Sequence, residues 1–225
     1  MTWLEKLVQV AHDSVEEEVL EGLWARGVST EQVNTFRIGY LARLPALEFP
    51  PEFLEWYLDR EDVIVFPLTT FYGNVKGIQV RYQDREKKGY SDFFTTRSEP
   101  CLFGLREAAP HMLSTREVVL TEGVYDFCPV QRVIPQTIST LTAKVNKQLM
   151  RSLYRCVDRV ISFYDRDDSG VKGTKEVERN APPELKVYTM EYPLDFKGKD
   201  PGELWECHGD DWYARYLMKQ QEGRL

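Results

Sequence analysis

The 225-residue sequence has few cysteines, few histidines and no long apolar run. Its four cysteines are far apart and form no CxxC pair, which argues against a disulfide framework and against a closed zinc site. No stretch approaches the ~18 consecutive apolar residues that a membrane span needs. The first twenty residues also do not have the order of segments found in a signal peptide. We therefore expect a protein of the reducing cytoplasm that contains no zinc and does not enter a membrane.

The sequence also has no excess of positive charge, since its formal net charge is −7. This excludes a protein that binds nucleic acid through bulk positive charge, so any such contact must come from a local basic patch. Apolar residues make up 42% of the chain, which is too many for a disordered polyampholyte. The chain is long enough to bury a sizeable core.

Charge and hydrophobic patterning divide the chain into sections of different character. We predict a helical N-terminal segment over 1–62, a β-rich basic subdomain over 63–115, an alternating domain over 116–195 and a short C-terminal helical segment over 196–225. The first section is strongly acidic, and its apolar residues recur at helical spacing. The second contains two apolar runs joined by a Gly73-Asn74 turn, which predicts a hairpin.

The third section alternates between short apolar runs and amphipathic stretches. Apolar strands are predicted at 118–120, 133–138, 159–164 and 185–190, with helices at 124–132, 144–157 and 170–179 between them. This alternation is typical of a parallel sheet covered by helices. The predicted fold class is therefore α/β, with an α+β N-terminal subdomain followed by a mainly parallel sheet flanked by helices.

Acidic residues follow two of these predicted strands. Glu122 ends the first strand, with Asp126 one turn later, and Asp165 and Asp167 end another. Because the carboxyl ends of parallel strands share one edge of the sheet, we expect these carboxylates to converge. Clustered carboxylates require a cation, and hard oxygen ligands suit Mg²⁺ or Mn²⁺. The alternative is that an aspartate after a strand only caps the next helix.

Several segments of the sequence resemble those of a known family. The segments LTEGVYD and ISFYDRDDSGVKG are similar to the glutamate and D-x-D motifs of the TOPRIM domain. The segments LWARGVSTEQVNTFRIGYL, VFPLTTFYGNVKGIQVR, SEPCLFGLREA and FKGKDPGEL resemble the catalytic core of DnaG-type primases, in the same order. Where the family has a second acid after the aspartate-proline pair, this chain has Gly202, followed by Glu203. The glycine usual in the family's "SLGT" loop is also replaced, within residues 139–143.

The resemblance implies a role for each matching residue. Glu122, Asp165 and Asp167 would be the catalytic carboxylates and would bind Mg²⁺ or Mn²⁺, with Asp126 and Asp200 as further metal-binding acids. Arg81 matches a basic position that contacts nucleic acid or nucleotide. Basic residues interleaved with aromatics in the β-rich section also suit single-stranded DNA, because bases stack on rings and phosphates pair with cations. The alternative is that these aromatics belong to the core of the strands. The remaining basic candidates are Lys76, Lys87 and Lys88.

The function that the resemblance implies is synthesis of a short RNA primer on single-stranded DNA from nucleoside triphosphates. One alternative is a TOPRIM nuclease, and another is a non-catalytic DNA-binding replication subunit. The zinc-ribbon and helicase-binding domains of the family are not found here. We therefore expect a replicative helicase or a separate zinc-module chain as partner, as in phage or plasmid replication systems. For a viral protein the expected location is the host cytoplasm.

A second basic surface is predicted on the helix at 144–157. Five basic residues follow at spacings of three or four and would form one stripe: Lys144, Lys147, Arg151, Arg155 and Arg159. This stripe is either a solvated helix face or a phosphate-contacting surface. The resemblance favours the solvated face, because in the family this helix lies away from the metal-binding edge.

Overall fold

The computed structural model of the chain describes residues 1–58, 60–82, 89–96 and 99–222. The chain divides into two compact units, Met1–Cys101 and Leu102–Leu225. The first unit contains helices and an antiparallel sheet, and the second contains helices and a parallel sheet. The four sections expected from the sequence stay a prediction.

The helices of the first unit begin where the sequence provides a cap. Thr2 and Ser29 each form a capping box, with Glu5 and Gln32 respectively. Pro51 is the first residue of its helix, where the missing N–H has no cost. The helices of this unit are α1 (Trp3–Asp13), α2 (Glu17–Trp24), α3 (Thr30–Thr35) and α4 (Pro51–Tyr57).

The sheet of the first unit is an antiparallel meander in the order β1-β2-β3-β4. Its strands are β1 (Gly39–Leu41), β2 (Val63–Thr69), β3 (Val75–Tyr82) and β4 (Tyr90–Phe94). The predicted hairpin is β2 and β3, and its register pairs Val65 with Val80. One core cluster joins α1 and α4 to the sheet, through residues such as Leu7 and Phe53. The fold of this unit therefore rests on helices packed against an antiparallel sheet.

The sheet of the second unit is parallel throughout and has the strand order β6-β5-β7-β8. Its strands are β5 (Glu117–Thr121), β6 (Thr137–Ser139), β7 (Arg159–Ser162) and β8 (Lys186–Thr189). Every residue of β5 is buried, as is typical of an inner parallel strand. This sheet and its helices confirm the predicted α/β fold class.

Five helices of the second unit are described, and each of them adjoins a strand of the sheet or a neighbouring helix. They are α5 (Leu105–Thr115), α6 (Val124–Gln131), α7 (Lys147–Tyr154), α8 (Asp168–Asn180) and α9 (Pro201–Glu222). The α9 segment is two helices joined at Gly209, where φ is 72°. That conformation suits glycine, which has no Cβ to clash.

The predicted helix at 144–157 is shorter in the structure, because Asn146 caps its start and accepts from the Leu149 N–H. Lys144 therefore precedes the helix, and Arg159 belongs to β7, where it pairs with Glu117 at 3.3 Å. The prediction of one continuous basic stripe on this helix was wrong at both ends. Within the part of the chain that the structure describes, no helix is both long and apolar enough to cross a membrane.

Candidate metal centre

The predicted acidic edge follows from the pairing of two neighbouring strands. β5 and β7 are hydrogen-bonded in parallel, with Val119 opposite Ile161 and Leu120 opposite Ser162. Glu122 is the first residue after β5, and Asp165 follows β7 by three residues. The sheet therefore directs both acidic segments to the same edge.

Glu122 is half-buried, and its carboxylate is only partly satisfied. The Ala143 N–H donates to it, whereas its Oε2 atom is buried and has no hydrogen-bond partner in the described structure. Burial, and then the negative charge of Asp167, raise the pKa of Glu122, against the lowering effects of the Ala143 hydrogen bond and of Lys199. A buried carboxylate oxygen without a donor is costly unless a cation binds it.

Asp165 also has a buried oxygen without a donor and a raised pKa. Its Oδ1 atom is buried, and no donor from the described residues reaches it. The pKa of Asp165 is raised to about 8, first by burial and then by the negative charges of Asp126, Glu122 and Asp200, against a lowering effect of Lys199. Burial and the neighbouring negative charges therefore outweigh the effect of the nearby Lys199 ammonium on this carboxyl.

Asp167 is exposed and acts as the N-cap of α8. Its Oδ1 atom accepts from the N–H groups of Ser169 and Gly170, both at 2.9 Å. Asp167 therefore caps a helix, which is the alternative role that the sequence allows for an aspartate after a strand. Its negative charge also acts on Glu122, so it contributes to the same acidic centre.

Asp126 and Asp200 act on Asp165 as well, but the chain already supplies donors to their oxygens. Asp126 Oδ2 accepts from the Gly123 N–H at 3.1 Å, and Asp126 Oδ1 accepts from the Gly202 N–H at 3.3 Å. Asp200 Oδ1 accepts from the Glu203 N–H at 2.7 Å, where α9 begins. Asp126 thereby links α6 to the start of α9, and Asp200 caps that start, beside the candidate metal centre.

The residues present fit a hard divalent cation. Two buried carboxylate oxygens without donors, on Glu122 and Asp165, supply the ligand chemistry that Mg²⁺ prefers. The described residues do not contain a group of three or more acidic, histidine or cysteine side chains arranged to hold a metal ion. Mg²⁺ commonly binds through one or two carboxylates and completes its shell with waters and phosphate oxygens, so such an incomplete protein shell suits it.

The loop at 139–143 supports Glu122 and was not assigned a role from the sequence. Ser139 Oγ donates to the Glu122 carbonyl at 3.1 Å, and Thr140 is hydrogen-bonded to Tyr164 at 3.0 Å. Leu141 has a φ of 66°, the left-handed conformation that glycine adopts freely. The loop where the family's glycine is replaced therefore contains a left-handed backbone position without a glycine.

Two cations near the acids were also not predicted. The Lys199 ammonium lies 3.7 Å from Asp200 Oδ2. Burial opposes the charge of Lys199, but the surrounding carboxylates, Asp200 foremost, raise its pKa overall. Arg166, between the two aspartates of the D-x-D motif, donates from its side chain to the Phe196 carbonyl and lies over the Tyr192 ring. Lys199 is not signalled by spacing, because the segment at 190–200 is distant in sequence from the strands that end in acids. Arg166 is adjacent to them in sequence, but its side-chain contacts are with that same distant segment.

The predicted basic residues belong to the first unit. Arg81 is at the end of β3, donates to Gln79 at 3.3 Å and lies over the half-exposed ring of Tyr90 at 5.1 Å. Lys76 lies at a register shift, where Leu68 pairs with Gly77 and Thr69 with Val75. Lys87 and Lys88 lie outside the described residues.

A comparison with protein families identifies the class of the second unit. Residues 119–205 match the family model described as Toprim-like. This range contains β5, β7 and the acidic residues that follow them. This part of the second unit is therefore similar to the Toprim-like family, as the glutamate and D-x-D motifs predicted.

Comparisons with individual proteins point to the DNA primases. The DNA primase of Borreliella burgdorferi is 28% identical over 158 residues, which cover 68% of this chain and 30% of that protein. The Aquifex aeolicus primase structure, of zinc-binding and RNA polymerase domains, has a TM-score of 0.77 at 22% identity and covers 96% of this chain and 59% of that one. A DnaG primase catalytic domain bound to single-stranded DNA has a TM-score of 0.72 at 18% identity, covering 96% of this chain and 79% of that one.

These likenesses confirm the resemblance to DnaG-type primase catalytic cores that the motifs predicted. The chain has the fold of such a core across nearly its whole length. It spans about a third of the length of the curated relatives it matches, 30% of the Borreliella protein and 38% of the Rickettsia prowazekii DNA primase.

Proposed function

We propose that the chain is the catalytic core of a primase, which joins nucleoside triphosphates into a short RNA primer on single-stranded DNA. The observation that carries the proposal is the pair of buried, donor-free carboxylate oxygens on Glu122 and Asp165, at the edge of a Toprim-like sheet. The DNA primase relatives support the same reaction class.

In this proposal Glu122, Asp165 and Asp167 hold a Mg²⁺ or Mn²⁺ ion. The bound ion would activate the attacking hydroxyl and neutralise the charge on the departing pyrophosphate. The chain's own contribution is to fix the carboxylates beforehand. The Ala143 N–H orients Glu122, and the N–H groups that begin α8 orient Asp167. A site whose ligands are fixed in advance loses little free energy to reorganisation during the reaction.

Incubation with single-stranded DNA, Mg²⁺ or Mn²⁺ and labelled nucleoside triphosphates tests the proposal. Labelled oligomers that grow with time and depend on the template support primer synthesis. Shortened DNA would identify a nuclease that uses the same carboxylates. No product of either kind, together with DNA binding, would identify a non-catalytic replication subunit.

The template would bind the basic part of the first unit, where Arg81 adjoins the half-exposed ring of Tyr90. Arg81→Ala is expected to weaken single-stranded DNA binding by about threefold to tenfold, because it removes one phosphate contact and a stacking partner. The same loss lowers the slope of log affinity against log salt by about 1. Fluorescence anisotropy at several salt concentrations measures both quantities.

Arg151→Ala and Arg155→Ala are the matched controls, because both residues are exposed arginines of the second unit. They should leave the affinity and the salt dependence close to those of the wild type. If these two changes weaken binding and Arg81→Ala does not, the template binds the α7 surface instead.

A further inference from the structure

The acids of the metal centre differ in what their oxygens already accept. Glu122 and Asp165 each keep a buried oxygen that no described donor reaches. Asp126 accepts backbone N–H groups at both of its oxygens. Asp200 accepts one N–H at Oδ1 and faces the Lys199 ammonium at Oδ2. Because a cation needs available lone pairs, these two pairs of acids are not equivalent as metal ligands.

The main chain at Gly202 engages one of the two carboxylate oxygens of Asp126. The Gly202 N–H donates to Asp126 Oδ1 at 3.3 Å. A Cβ at this position would lie 3.2 Å from Asp126 Oδ1 and 3.4 Å from Asp200 Oδ1. A carboxylate at position 202 would therefore extend beside both acids. The chain therefore has a glycine at a position from which a side-chain ligand could join Asp126 and Asp200.

Lys199 engages the second carboxylate oxygen of Asp200 and is itself fixed by its main chain. The Lys199 N–H donates to Glu203 Oε2 at 2.8 Å, and the Lys199 carbonyl accepts from the Arg166 N–H at 2.6 Å. These bonds fix the main chain on both sides of the lysine. The ammonium is thereby kept next to Asp200, where its charge also acts on Asp165 and Asp126. Glu203 folds back to this turn, so its carboxylate is engaged there.

We infer that the chain binds one divalent ion, among Glu122, Asp165 and Asp167, and that Lys199 supplies the positive charge that Asp126 and Asp200 need. The inference rests on the proposed function for the kind of ion. It adds the stoichiometry of the site and makes Lys199 a positioning residue, built into the chain as a counter-ion.

Titration of the full chain with Mn²⁺, followed by the electron paramagnetic resonance signal of free Mn²⁺, tests the stoichiometry. One tightly bound ion per chain is expected. Gly202→Asp should add a second ion, because it places a carboxylate between Asp126 and Asp200. Gly22→Asp is the matched control, since nothing lies within 4 Å of a Cβ at Gly22. It should leave the number of bound ions at one.

Lys199→Met tests whether Lys199 acts as a counter-ion. The change should leave the fold intact, because the side chain of Lys199 is exposed. Loss of this charge should raise the affinity for Mn²⁺ about tenfold, since a cation near the ligands repels a divalent ion. Lys197→Met removes an exposed lysine two residues away and should leave the affinity unchanged.

Several results would overturn the inference. These are no bound Mn²⁺, two ions in the wild type with one lost in Asp200→Asn, one ion in a folded Gly202→Asp, or equal affinities for Lys199→Met and Lys197→Met. Since binding is measured without nucleotide or DNA, these results do not depend on primer synthesis. A chain that binds one ion but makes no primer would contradict the proposed function alone.

Discussion

Asp165→Asn is expected to lower primer synthesis by at least about 1,000-fold while making the metal-free protein more stable. Activity should fall because the change removes one of the proposed metal ligands at the acidic edge. Stability rises because the change removes a carboxylate that is partly buried and surrounded by like charges from Asp126, Glu122 and Asp200. A purely structural residue would not show opposite effects on activity and stability.

The gain in stability depends on pH in a defined direction. The pKa of Asp165 is about 8 in the folded chain, against about 3.9 for an unfolded aspartate. The folded state therefore binds the proton more tightly, and this contribution to stability is lost as pH rises from about 4 through about 8. Because the side chain is only partly buried, solvent screening limits the gap between variant and wild type to about 2 kcal/mol at pH 8.

Urea unfolding with EDTA across this pH range measures the gap, and primer assays with Mg²⁺ measure the activity. Asp168→Asn is the matched control, because Asp168 is an exposed acid of the same segment. Asp168→Asn should retain activity, and its unfolding free energy should not diverge from that of the wild type as pH rises. If the Asp165→Asn protein is active, or is less stable than the wild type at pH 8, then Asp165 is not part of the proposed metal centre.

Gly170→Ala is expected to have the largest effect on stability, a loss of about 3 kcal/mol that lowers the Tm by roughly 10 °C. An alanine Cβ would lie 2.1 Å from the Asp165 carbonyl oxygen and 2.7 Å from its carbonyl carbon. Both contacts are with backbone, so the start of α8 must move. The Gly170 N–H also donates to Asp167, so this movement should weaken Mn²⁺ binding as well.

Gly22→Ala provides the opposite case in another helix, because a Cβ at Gly22 meets nothing within 4 Å. It should stabilise the chain by about 0.5–1 kcal/mol through helix propensity. Thermal unfolding of both variants measures the contrast. A Gly170→Ala protein with wild-type stability and metal binding would mean that α8 does not approach Asp165 this closely.

The parallel sheet and its acidic edge were predictable because both are encoded locally. Buried strands such as β5 and β7 are short apolar runs, and the acid after each run is read directly from the sequence. Parallel pairing then brings these acids to one edge without further information. The start of the α7 helix was less predictable, because Asn146 competes with the hydrophobic pattern as a cap.

The partners of the acids could not be predicted in the same way. Lys199 reaches Asp200 and Asp165 from a turn with no regular period, and Ser139 and Ala143 reach Glu122 from the loop after a neighbouring strand. Such contacts depend on the path of irregular segments. The left-handed backbone of Leu141 is also hidden, because leucine gives no sign of that conformation in a sequence.

The pairing of β5 with β7 has a consequence for the order of folding events. It joins Glu117 to Arg159 and so closes a loop of about 40 residues before the two acidic segments can meet. Contacts of such long range tend to form late on the folding pathway, so the folding nucleus would contain no complete ion site. Mg²⁺ would then slow the unfolding rate of the finished domain and leave the folding rate nearly unchanged.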